Sequence, residues 1–337
     1  WLNEAVKEGE YVGKTNFIKK NGEKFNAKIR ITPTFANGKD NPQTGYCGVT
    51  EVIDEEVEVP INFSTKLIKG LAITRMPFTS ASILPILAVG AYFAGVDDDL
   101  FNVTNFVFCI FGVLIAHLGV NVLNDYFDVK DGTDEANSDY FQQVSGGSRA
   151  IELGLISLSG TKKLGLILTA VALLIGGIVL LSTNPANLNS VIYIGLAGLF
   201  LGYFYTAPPL RLVAKKGLGE LTIFLAFGPL ITLGTAFAIF NEPLLTSEHF
   251  IPCILIGIPM GLLTTNILLI NEFPDMKSDM KTDKNHLVVT FGKKASRWIY
   301  LLILVLAIFS TYFLASDLEN KKLLIPLALL VLYGGYV

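Results

Sequence analysis

From Pro77 onward the chain is a succession of apolar runs, each about as long as a bilayer is thick. A straight helix needs roughly 20 apolar residues to cross the hydrocarbon layer. Runs of that length fall near 77–95, 103–124, 163–182, 188–206, 219–240, 250–271, 298–316 and 322–337. Inside a bilayer the backbone has no water to bond, so such runs fold as helices packed on one another. Composition agrees: 51% of the residues are hydrophobic and 16% charged, where soluble domains carry about a quarter charged. The expected fold class is an all-α multi-spanning membrane helix bundle of eight spans. The chain opens on Trp1 and stops at Val337 within the last run, which predicts a fragment cut at both ends.

Orientation follows from Lys and Arg. Lys130, Arg149, Lys162 and Lys163 follow the second run. Arg211, Lys215 and Lys216 follow the fourth, and Lys277, Lys281, Lys284, Lys293, Lys294 and Arg297 follow the sixth. The connections on the other side carry only Lys321 and Lys322. Basic loops stay in the cytoplasm, so the expectation is a multi-pass protein of the cytoplasmic (inner) membrane with these loops and the N-terminus inside. The net charge of −3 is segregated by loop, and the lipid bilayer rather than nucleic acid is the expected large partner. Cys47, Cys109 and Cys253 have no metal or redox spacing and read as small apolar residues.

Residues 1–57 differ from the rest. Phe25, Ala27, Ile29 and Ile31 alternate with polar neighbours, the period of a half-buried strand. Asn21-Gly22 between Thr15–Lys19 and that strand reads as a hairpin turn, and Tyr46–Ile53 reads as a third strand. A small antiparallel β fragment therefore precedes the bundle. The pattern Gly13…Phe17-Ile-Lys-Lys-Asn-Gly22-Glu-Lys-Phe25…Ile31-Thr-Pro33…Gly45-Tyr46…Val52-Ile53-Asp54 resembles the C-terminal half of a PAS sensor domain.

Two acidic clusters stand where apolar runs meet polar loops. Asn121, Asn124, Asp125 and Asp128 lie at i, i+3, i+4 and i+7, and Asn271, Asp275 and Asp279 at i, i+4 and i+8. Each set forms one stripe of a helix, and Asp283 continues the second if the helix persists. One such cluster alone reads as a solvated helix end. Two matched clusters on the same face read as a site, because acids at membrane depth are costly unless used. Mg²⁺ takes oxygen ligands, usually one or two carboxylates with waters and substrate phosphates, so two facing stripes suit metal ions bridging a diphosphate. Gly146-Gly147-Ser148-Arg149 adds a flexible backbone and a guanidinium suited to phosphate. Lys277, Lys281 and Lys284 interleave with the second stripe, while Asp131 and Asp134 read as loop acids.

Taken with Arg75-Met-Pro77, Tyr203-Phe-Tyr205-Thr-Ala-Pro208-Pro209-Leu-Arg211, Gly217-Leu-Gly219-Glu220, Phe227-Gly228-Pro229-Leu230 and Lys284-Asn-His-Leu287, these motifs, spanning about 70 to 300, resemble the UbiA-type intramembrane prenyltransferase superfamily, with a membrane domain expected over residues 62–337. Within it they are most similar to the 1,4-dihydroxy-2-naphthoate branch of menaquinone biosynthesis. The resemblance implies nine spans, the last missing here. It also implies Mg²⁺ held by Asp125, Asp128, Asp275 and Asp279, gripping the diphosphate of a polyprenyl donor. The donor's allylic carbon then joins an aromatic acceptor, whose carboxylate is lost to give a demethylmenaquinone. Asn121, Asn124, Asn271, Arg149, Lys284 and Tyr205 are the expected substrate contacts. His117, one turn before Asn121 on its stripe, is expected to orient the acceptor or to handle a proton near its ring hydroxyl, the alternative being an imidazole hydrogen-bonded to a neighbouring helix. The family's first motif has a third Asp where this chain has Gly132, and Asp131 or Asp134 are its stand-ins. Other acceptors (4-hydroxybenzoate, homogentisate, haem, a glycerol-phosphate lipid) stay open, as does a PAS-linked membrane sensor without catalysis.

Overall fold

The computed structural model describes the chain except residues 20, 22, 36–42, 56, 58–62, 97, 133–147, 149, 152–153, 320, 324 and 326–337. It forms two compact units, Trp1–Ile73 with Arg149–Thr161, and Thr74–Ser148 with Lys162–Val337.

In the first unit α1 (Leu2–Glu8) precedes β1 (Tyr11–Ile18), β2 (Lys24–Thr34) and β3 (Gly45–Ile53). These strands form one antiparallel sheet in the order β1-β2-β3, with Tyr11 opposite Ile31 and Asn26 opposite Ile53. The expected turn is present: Asn21 Oδ1 accepts from the Glu23 N–H at 3.0 Å, and Gly22 lies outside the described residues. Ala27 and Ile29, on one face of β2, are buried, as is Ala5 of α1. The alternation of β2 thus makes a small core. Helix α1 has no counterpart in the sequence reading. Helix α2 (Phe63–Thr74) follows the sheet.

The second unit is helical. Its elements are α3 (Ser80–Ala94), α4 (Val103–Lys130), α5 (Leu158–Leu181), α6 (Leu188–Phe204), α7 (Leu218–Leu225), α8 (Ile231–Ile239), α9 (Phe250–Lys281) and α10 (Leu287–Asp317). Six described segments are long and apolar enough to cross a membrane, with α7 and α8 counting as one. The run expected at 188–206 is the shorter α6, of 17 residues. The run at 322–337 lies almost wholly outside the described residues.

Two helices continue past their apolar runs, as the two polar stripes require. α4 continues past 124 to Lys130 and α9 past 271 to Lys281, so the acids sit inside the last turns of long helices. One polar stripe does not end a helix when cations satisfy it, as the site below shows. The run at 219–240 is broken instead: Gly228 has non-helical dihedrals of φ −112° and ψ −106°, and Pro229 cannot donate to the ladder. A Cβ on Gly228 would lie 2.6 Å from the Gly257 carbonyl oxygen and 2.9 Å from Gly261 Cα. Glycines on both sides therefore let the broken helix touch the α9 backbone, as small residues do between membrane helices.

The apolar core gathers Phe93, Phe237, Ile239, Phe240, Leu244, Cys253 and Ile256 at the end of the unit remote from the acids. Asn105 is fully buried there. Its amide donates to the carbonyls of Ala238 at 2.7 Å and Val179 at 3.3 Å, tying α4 to the ends of α8 and α5.

Candidate active site

The first stripe is held by cations and a backbone amide. Asp125, almost buried, lies 3.9 Å from Arg75 Nη1 and accepts from the Ser148 N–H at 3.3 Å. Arg75 sits at φ 53° at the start of the short helical turn Met76–Thr79. Asp128 Oδ1 lies 3.1 Å from Lys284 Nζ, and Asp131 pairs with Arg211 at 3.1 Å. Asn121 donates to the Thr74 carbonyl at 3.2 Å, and Asn124 accepts from Thr206 at 2.7 Å. His117 lies deeper in α4, where its Nδ1 hydrogen-bonds Ser82 Oγ and its ring meets Phe227 edge-on at 5.2 Å.

The second stripe runs along the last turns of α9. Asp279 is buried and its Oδ2 is 3.0 Å from His286 Nε2; Glu272, also buried, has Oε2 3.2 Å from His286 Nδ1. Burial disfavours the imidazolium, but hydrogen bonds to Asp279 and Glu272 and their negative charges outweigh it, lifting the His286 pKa to about 9. The imidazole is thus set between two carboxylates, and its Nδ1 also caps α10 by accepting from the Val289 N–H at 3.3 Å. Asp275 and Asn271 are half-buried on the same helix. Tyr205 is half-buried just past α6, its carbonyl accepting from Val213 at 3.0 Å.

Asp283 does not extend this stripe. The helix stops at Lys281, and Asp283 takes a left-handed φ of 55°. The chain thereby turns back and carries Lys284 to Asp128. Asp283 lines a separate cavity of about 340 Å³ with Pro209, Arg211, Lys215, Lys216 and Asn285. Arg149 and Asp134 lie outside the described residues.

Three buried residues stand outside the roles expected from the sequence: Glu220, Glu272 and His286. Glu220 Oε1 accepts from the Leu287 N–H at 2.7 Å, and its Oε2 has no hydrogen-bond partner among the described residues. A second acid directly after Asn271, and a His two positions after Lys284, were the available signals.

The donors offered by Asp125, Asp128, Asp275 and Asp279 are all carboxylate oxygens, the hard ligands that Mg²⁺ takes. Among the described residues no three acidic, His or Cys side chains converge closely enough to cage an ion.

Membrane-length helices with two acidic stripes toward one end define an integral membrane protein. The chain belongs to the UbiA prenyltransferase family, which matches residues 82–337. It is 28% identical over 304 residues to the chloroplastic 2-carboxy-1,4-naphthoquinone phytyltransferase of Arabidopsis thaliana, covering 85% of this chain and 71% of that one. It is also 28% identical over 227 residues to 1,4-dihydroxy-2-naphthoate octaprenyltransferase of Bacillus subtilis, covering 66% of each. The fold matches a UbiA homolog from Archaeoglobus fulgidus solved with DMAPP and Mg²⁺, with TM-score 0.58 and 17% identity over 79% of this chain and 84% of that one.

Proposed function

We propose that this protein transfers a polyprenyl group from polyprenyl diphosphate to an aromatic acceptor, 1,4-dihydroxy-2-naphthoate, with Mg²⁺ as cofactor. The observation that carries this reading is the Lys284–Asp128 pair, which joins the turn after the second acidic stripe to the first stripe. A diphosphate at that junction meets carboxylates from two helices and cations from two further segments. The names of the relatives support the naphthoate acceptor.

Asp125, Asp128, Asp275 and Asp279 would hold Mg²⁺, which supplies charge neutralisation for the leaving diphosphate. Arg75 and Lys284 place fixed positive charge beside it, where charge develops as the C1–O bond of the donor breaks. Arg149, in the Gly-Gly-Ser-Arg segment, is assigned to the diphosphate as well. Asn121, Asn124 and Asn271 line the stripes, and Tyr205 closes the same end. His117, with Ser82 and Phe227, stands deeper and orients the acceptor ring, which attacks C1 and then loses its carboxylate.

The site and the N-terminal unit face the cytoplasm in this reading, since the basic loops lie at the acidic end. We assign residues 1–57 to a PAS-like C-terminal fragment and 62–337 to the prenyltransferase domain.

The test is to offer the purified protein a polyprenyl diphosphate with 1,4-dihydroxy-2-naphthoate and 4-hydroxybenzoate in parallel. Strong, Mg²⁺-dependent prenylation of the first and poor prenylation of the second is expected. The opposite preference would overturn the acceptor, and no prenylation of either would overturn the reaction.

A further inference from the structure

The turn between α9 and α10 joins four parts of the membrane unit through four successive residues. Lys284 Nζ reaches Asp128 of α4 at 3.1 Å. The Asn285 N–H donates to the Ala214 carbonyl, in the α6–α7 connection, at 3.2 Å. The His286 ring spans Asp279 and Glu272 of α9 at 3.0 and 3.2 Å. The Leu287 N–H donates to Glu220 of α7 at 2.7 Å. His286 is 1% exposed, so its ring has little freedom to leave. Glu272 and Asp279 are seven residues apart, about 10 Å along the helix axis, and the imidazole sits between them.

We propose that His286 is a positioning residue for the metal–diphosphate site, an inference that rests on the prenyl-transfer reading. By occupying Asp279 Oδ2 it fixes the rotamer of that carboxylate. Oδ1 is then the oxygen left to face a metal ion. At its other nitrogen the ring accepts from the Val289 N–H at 3.3 Å, with the Glu272 carboxylate 3.2 Å away, and these partners fix its orientation, the arrangement by which outer partners set the geometry of an inner ligand. Glu220, through Leu287, anchors the turn that carries the ring. Asp279 accordingly does not have to be ordered when metal and diphosphate arrive, and the ordering cost falls outside the binding step.

The experiment uses the full chain in lipid nanodiscs, with Mn²⁺ and inorganic pyrophosphate as probes and binding read by electron paramagnetic resonance without acceptor. His286→Ala is expected to weaken Mn²⁺ binding by about 10–100-fold, the usual consequence of losing an outer partner. In turnover it should raise the donor KM while the acceptor KM stays put. His286→Gln keeps one amide donor for Asp279 and should recover part of the loss. A folded His286→Ala protein with wild-type Mn²⁺ affinity, or an equal rise in both KM values, would overturn the proposal. If His286→Ala does not fold, His286→Gln decides: a measurable weakening supports the role and wild-type affinity removes it. Failure of the wild-type protein to bind Mn²⁺ with pyrophosphate would remove the prenyl-transfer reading itself. Wild-type binding with unchanged variants would remove only His286.

Discussion

Lys284 Nζ lies 3.1 Å from Asp128 Oδ1, although the two are 156 positions apart in the sequence and no helical period links them. The pair is mostly shielded, with side chains 12% and 17% exposed, so it is screened far less than a surface ion pair. Lys284→Ala should raise the donor KM in steady-state assays. Loss of a charge-assisted hydrogen bond is worth about 1.5–3 kcal/mol, or roughly ten- to hundredfold. Lys284→Arg should retain part of the effect through its charge. A donor KM unchanged in Lys284→Ala would leave this lysine as ordinary topological charge.

The acids themselves give a steeper expectation. Asp125→Ala or Asp275→Ala removes a proposed ligand of an ion whose Lewis acidity is worth several kcal/mol, so kcat should fall by about 100-fold or more. Membrane insertion, followed by fractionation, should be unaffected. Full activity of either variant in excess EDTA would end the metal assignment.

Orientation is open to labelling. In a protein whose Cys47, Cys109 and Cys253 are replaced by serine or alanine, a cysteine at Asp283 should resist a membrane-impermeant maleimide in intact cells. One at Asp98, at the other end of the bundle, should react. The reversed pattern would place the site outside the cytoplasm.

Packing at the helix break makes a stability prediction. Gly228→Ala inserts a methyl group 2.6 Å from the Gly257 carbonyl oxygen, a backbone atom that cannot rotate away. Overpacking of this kind costs about 1–3 kcal/mol. Gly195→Ala on α6, where a Cβ meets nothing within 4 Å, is the control. Thermal unfolding in detergent should show a lower midpoint for the first variant and no loss for the second.

The helices were legible because hydrophobicity at membrane length is a local property, written in each run by itself. The acidic stripes were legible for a similar reason, since spacing of three and four fixes a helix face wherever that helix goes. The same spacing carried α9 as far as Asp279, and the helix ends at Lys281, but the partner of Asp279, His286, follows the turn and was not legible. The halt before Asp283 comes from a left-handed residue that no periodicity announces. Glu220 and Leu287 are joined only by the fold, so Glu220, Glu272 and His286 carried no weight as single letters. In the first unit the alternation in β2 revealed the sheet, whereas α1 is a short helix with little pattern to read.

The break at Gly228–Pro229 places an irregular stretch of backbone where hydrocarbon offers nothing to solvate it, at a cost of several kcal/mol for each unsatisfied group. Thr232, fully buried, turns its hydroxyl back to the Gly228 and Pro229 carbonyls at 3.3 Å each. One side chain thus does for this joint what a bound water does in a soluble protein. The chain carries its own solvent into the bilayer, so an interrupted helix can persist at a depth where exposed carbonyls would otherwise be driven toward the interface.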